Sequence, residues 1–114
     1  MFSRIYHCVL LFLFGAVSQL AHSASVSKEL TIKEVGFSKN TGRVFIKSSD
    51  LADESHCSSK DHYAMPLGEP ESFLFYSAAL TALNEGKKVR VLYESSGECL
   101  SNAPEVLVFW NLSS

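Results

Sequence analysis

The chain has 114 residues, 46% of them hydrophobic, with 10 Lys+Arg against 12 Asp+Glu and a formal net charge of −2. That length holds one small domain rather than several. The near balance of charge, without a basic cluster, argues against nucleic acid or an anionic membrane surface as partner.

The first 23 residues read as a secretory signal peptide. Arg4 is a minimal positive start, Val9–Val17 is a short apolar run, and Ala21-His22-Ser23 puts small residues where a cut before Ala24 needs them. The run is shorter than the roughly 20 apolar residues of a spanning helix, so an integral membrane protein is not expected. Cys8 precedes the apolar run and cannot become the lipidated first residue of a mature chain. Residues 24–114 then form a single domain that is secreted or periplasmic, with Cys57 and Cys99 as its only cysteines. One intramolecular disulfide, Cys57–Cys99, is expected, against the alternative of free or intermolecular thiols.

Lys28–Phe37 alternates with Leu30 and Ile32 on one side, a strand pattern that Gly36 interrupts with an expected bulge or bend. Ser38–Gly42 is a turn, and Arg43–Lys47 a second strand with Val44 and Ile46 on one face, pairing as an antiparallel hairpin. Ser48–Pro70 is an irregular link in which Asp61–Leu67 is at most a short edge strand.

A helix follows. Pro70 and Glu71 suit its start, and Gly86 its left-handed end. Phe73, Tyr76, Leu80 and Leu83 make one stripe, which Leu74, Phe75, Ala78, Ala79 and Ala82 widen past a half-cylinder. Such a helix requires enclosure by a curved sheet or by a neighbouring subunit. Lys88–Glu94 alternates, with Val89, Val91 and Tyr93 inward and Leu92 the apolar exception outside. Glu105–Trp110 is apolar on both faces, as in a central strand or one covered by another chain. The layout is mostly β with one helix, either a small antiparallel barrel or an open α+β sheet with one packed helix.

Phe75–Tyr93, FYSAALTALNEGKKVRVLY, lies within the order hairpin, cysteine-bearing link, apolar helix, Gly-Lys step, alternating strand, cysteine, final strand. From Gly42 to Trp110 this pattern resembles the B subunits of subtilase-type and pertussis-like AB5 toxins. It also resembles small secreted bacterial proteins of the same plan. The resemblance implies an OB-like antiparallel barrel, a pentamer with its helices around a central pore, and an outer rim that binds sialylated glycans. The link Ser48–Lys60 departs from the pattern in carrying Asp50, Asp53 and Glu54, and no residue here matches the family's glycan-contacting serine.

Asp53, Glu54, His56, Cys57, Asp61 and His62 are the one concentration of ligand-type residues, with a solvated acidic loop as the bland alternative. No Gly-x-Ser-x-Gly elbow, phosphate loop or CxxC occurs, so no enzyme, metal or cofactor is expected. Asn111-Leu112-Ser113 matches the glycosylation triplet only formally. Tyr63 and Trp110 are candidate stacking residues for a sugar, and Lys47 and Arg90 candidate cations for an acidic one. Phe75, Leu92 and Phe109 are candidate oligomer contacts. The doubly apolar last strand, the apolar helix and the resemblance to toxin subunits together imply a secreted non-catalytic binding module, oligomeric, for glycan or protein. The competing readings are a monomeric periplasmic protein of structural or inhibitory role, and a small hydrolase built on His56 and His62.

Overall fold

The computed structural model describes residues 23–113; the expected leader, up to residue 22, lies outside them. β1 (Ser25–Leu30) runs through Thr31 into β2 (Ile32–Ser38), followed by β3 (Arg43–Ser48), β4 (His62–Pro66), α1 (Pro70–Glu85) and β5 (Val89–Glu94). Two short strands, β6 (Cys99–Leu100) and β7 (Ala103–Pro104), form a small hairpin before β8 (Val108–Asn111). β1-β5-β8 make one three-stranded sheet and β2-β3-β4 another, with every strand pair antiparallel. Among the described residues, a mostly β fold with one helix is thus established.

Two features join the sheets. β1 and β2 are consecutive, so one bent stretch of chain serves both. At the opposite side Val106 N donates to Ala64 O at 2.8 Å, beside an isolated parallel bridge between Ala64 and Glu105.

Period-two alternation places Val44 and Ile46 of β3, and Val89, Val91 and Tyr93 of β5, in the core with Leu30 and Ile32. The irregularity expected at Gly36 falls earlier, where the β2–β3 register shifts between Ile32 and Glu34. Gly36 has another role. A Cβ there would stand 2.8 Å from Phe45 Cζ, so glycine is what lets that ring lie down on β2.

α1 starts with Pro70, whose missing N–H costs nothing in the first turn. It ends at Gly86 (φ 67°), where Gly86 N donates to Leu83 O and Lys87 N to Ala82 O, the paired bonds of a Schellman turn. The buried face is Ser72, Phe75, Ala79 and Ala82, which packs chiefly on β2 with further contacts to β3, β4 and β8. The expected stripe is therefore rotated: Phe73 is 69% exposed and Leu74 66%. The two alanines admit the sheet closely, while Phe75 enters the core edge-on to Phe109, with centroids 5.1 Å apart.

The irregular link after β3 is held by two of its carboxylates, Asp50 and Glu54, and by its main-chain carbonyls. Thr31 N donates to Asp50 Oδ2, the Tyr63 hydroxyl to Asp50 O, and the Tyr93 hydroxyl to Glu54 Oε1. Lys28 Nζ reaches both Leu51 O and Glu54 Oε1. This polar lid carries the fully buried Ala52 into the core, and it satisfies two tyrosines whose hydroxyls would otherwise be buried without partners.

Lys28, with Tyr93 and a main-chain donor, holds the Glu54 carboxyl down at about 2. A folded value below the unfolded one means that the stabilisation is complete above the ordinary glutamate range, near 4.5, and is lost as pH falls toward 2. The carboxylate is half exposed, so screening keeps the contribution small. Thermal melts between pH 5 and pH 2 should accordingly show a shallower decline for Glu54→Gln than for the parent. Superimposable acid profiles would remove this role for Glu54.

Candidate functional site

β3 turns Arg43, Phe45 and Lys47 away from the core, since Val44, Ile46 and Ser48 point into it. Register then sets Gly36 and Ala64 on either side of Phe45, and Glu34 and His62 on either side of Lys47. Small neighbours make the centre of this face low. The Phe45 ring reclines over Gly36, with the Arg43 guanidinium carbon 5.1 Å from its centroid and the His62 ring 5.5 Å away.

Arg43 also ties the face to the β6–β7 hairpin. Its NH1 donates to Leu100 O at 2.8 Å and to Ser101 O at 3.2 Å, at a tip where Ser101 and Asn102 both adopt positive φ. Burial lowers the pKa of Arg43, and its Nε has no hydrogen-bond partner among the described residues. His62 Nδ1 lies 2.8 Å from Asp61 Oδ1, and that contact, assisted by Lys47, pulls the Asp61 carboxyl below its usual range. The result is a half-buried aromatic ring bordered by Arg43, Lys47 and His62. An apolar ring can meet the C–H face of a sugar or a base, and flanking cations can meet an anionic group.

The expected ligand-binding residues do not come together as one group. Tyr63 is 0% exposed, a core residue packed on Tyr93, and burial drives its phenol pKa sharply up. Lys47 belongs to the face just described. Arg90 and Trp110 do meet, on the outer side of the other sheet: they are register partners, with the guanidinium carbon 5.9 Å from the indole and NH2 donating to Glu29 Oε2 at 3.0 Å. Glu29, Arg90 and Trp110 thus form a ladder across β1, β5 and β8, with Trp110 38% exposed.

Of the expected oligomer contacts, Leu92 sits half-buried on that outer side between Ser27 and Val108. Phe75 and Phe109 turn inward against each other, which takes Phe75 out of any surface that this chain displays. Exposed apolar area lies instead on Phe73, Leu74, Leu107 and Val108. Phe73 lines a groove of 290 Å³ with Phe37, Val44, Leu67 and Tyr76, and Leu74 a second of 250 Å³ beside Met65 and Phe109.

The acid and histidine concentration disperses on folding. Glu54 goes to Lys28 and Tyr93, Asp61 to His62, and His56 to the turn before β6, where its Nε2 lies 2.7 Å from Gly97 O. Cys57 and Cys99 are joined as a disulfide with Cα atoms 5.7 Å apart. Among the described residues no helix is long and apolar enough to cross a membrane.

Sequence reasoning passed over Arg43 and treated His62 only as a metal or hydrolase candidate. Phe45 was legible as an outward aromatic from the alternation of Arg43–Lys47. What lacked any local signal was the pairing of β3 with β4, which brings His62 beside it. No family model, curated protein or solved structure matches this chain.

Proposed function

We propose that this chain is a secreted, non-catalytic binding module that takes an acidic glycan on the outer face of β2-β3-β4. The observation that carries the reading is Phe45 reclining on Gly36 with Arg43, His62 and Lys47 around it. The strand path is read as an OB-like barrel. Support comes from the bent β1–β2 stretch shared by both sheets and from the parallel bridge between Ala64 and Glu105. With β1–β2 counted as one bent strand, β3 and β4 are the second and third of the barrel. In OB-folds that face, with its adjoining loops, binds oligosaccharides and oligonucleotides, and the acidic net charge favours the former. The exposed Phe73 and Leu74 support a homo-oligomer, pentameric by the resemblance to toxin B subunits.

The test is a titration of sialylated and desialylated oligosaccharides against parent, Phe45→Ala and Lys47→Ala chains. The parent is expected to prefer the sialylated ligand. Phe45→Ala should weaken both ligands by about tenfold, roughly 1.4 kcal/mol, and Lys47→Ala should weaken only the sialylated one. A parent that binds neither, or a Phe45→Ala chain that binds as the parent does, overturns the reading. Light scattering tests the assembly, and a monodisperse monomer would remove it.

A further inference from the structure

Three soft or borderline donor atoms converge at the turn between β5 and β6: His56 Nε2, Cys57 Sγ and Cys99 Sγ all lie within 4.8 Å of one another. We propose that the Cys57–Cys99 disulfide is one of two mutually exclusive states of this cluster, and that reduction converts it into a zinc site of one histidine and two thiolates. This inference stands on its own residues and is independent of the glycan reading.

The geometry is close to that of a metal site already. Zinc–sulfur and zinc–nitrogen bonds of about 2.3 and 2.0 Å at a tetrahedral centre place sulfur and nitrogen donors about 3.5 Å apart, and two sulfurs about 3.8 Å apart. His56 Nε2 and Cys99 Sγ are separated by 3.5 Å. Once their bond is broken the two sulfurs have to draw apart, and Cys57 Sγ, which lies within 4.8 Å of His56 Nε2, has to settle at the same spacing from it by side-chain rotation.

The main chain is held independently of the disulfide. His56 N donates to Ser95 O, Ser59 N to Asn102 O, Glu105 N to Glu98 O, and Cys57 N to Ser55 Oγ. These bonds bracket both cysteines, so breaking the S–S bond does not by itself release the segments that carry them. His56 is exposed and Cys99 half-buried, which leaves the fourth coordination position to water on the open side. For His56 to ligate, Nε2 gives up its contact with Gly97 O and the ring proton moves to Nδ1.

The chemistry balances with an external dithiol as reductant. Its thiolate attacks one protein sulfur, the Cys57–Cys99 bond breaks, and a mixed disulfide forms. The second thiol then closes the reductant's own disulfide, leaving two protein thiols that hold the two electrons and two protons gained. One Zn2+ binding both cysteines as thiolates releases those two protons, so its affinity rises with pH.

The test uses the chain reduced by a phosphine, which does not itself compete as a thiol. It is titrated with Zn2+ and, for a visible readout, with Co2+. The expected result is one metal per chain with thiolate-to-cobalt charge transfer, affinity at least tenfold weaker in His56→Ala, and loss of binding in Cys99→Ser. The oxidised parent should take up none, and His62→Ala should bind as the parent does. A second measurement does not depend on how well the reduced chain keeps its fold: zinc should slow re-formation of the disulfide in air in the parent but not in His56→Ala. The proposal is overturned if the reduced parent binds no metal, if His56→Ala binds as tightly, if His62→Ala weakens binding as much as His56→Ala, or if zinc leaves reoxidation unchanged.

Discussion

Phe75→Ala is expected to destabilise the folded chain by about 3–5 kcal/mol, the range found when a large buried aromatic is truncated. Phe75 is 2% exposed, enters the core between Ala79 and Ala82 of its own helix and the sheet, and meets Phe109 edge-on. Truncation removes the transfer energy of the ring and leaves a void beside Phe109 that a close-packed core collapses into only in part. The same substitution separates a core role from an interface role. A core residue lowers the denaturation midpoint equally at every protein concentration. An interface residue shifts assembly and leaves the unfolding of the monomer where it was. Urea titrations at two concentrations a hundredfold apart decide the matter, and a parent-like midpoint for dilute Phe75→Ala would place the ring outside the core.

Cys99→Ala is the second large effect, at roughly 2–5 kcal/mol, as for loss of a native disulfide from a small secreted domain. The bond spans 42 residues, and restricting the unfolded chain over such a loop is worth about 4 kcal/mol on the chain-entropy estimate. The loop contains β4, α1 and β5, so the bond restrains the helix together with a strand of each sheet. The measurement is the difference in denaturation midpoint between oxidised parent and variant. The double variant Cys57→Ser with Cys99→Ser controls for a stray thiol. Equal midpoints would show that closing the loop adds nothing to the stability of the folded chain.

What could be seen in advance followed from local rules. Alternation in Arg43–Lys47 and Lys88–Glu94 assigned the inward residues of β3 and β5, and Gly86 marked the end of α1, because each signal is complete within a few residues. The helix face was not legible for a physical reason. With apolar residues nearly all round, periodicity gives no preferred stripe, and the choice of Phe75 over Phe73 rests on the shape of the sheet opposite. Tyr63 misled because β4 is short and its residues Ala64 and Met65 do not alternate in polarity. Glu54 of the link resembled a metal ligand because its partners, Lys28 and Tyr93, lie far along the chain. For the candidate site, Lys47 and the outward turn of Phe45 were legible, whereas Arg43 and His62 needed the β3–β4 register and the β6–β7 hairpin to give them a place.

The pairing of β1 with β5 has a kinetic consequence. Ser25 meets Glu94 across a separation of 69 residues, and the rest of β1 pairs at similar distance. Contacts so remote are rewarded only after a large closure entropy has been overcome, and chains rich in them fold slowly for their size. The β2–β3 hairpin and α1 can form from near neighbours, but β1 has no partner until β5 is in place. While it waits, Val26 and Leu30 are bare and the free side of β5 is an open template for another chain. The most delicate moment in the life of this protein is therefore the interval before β1 docks, when concentration decides between a finished fold and entanglement.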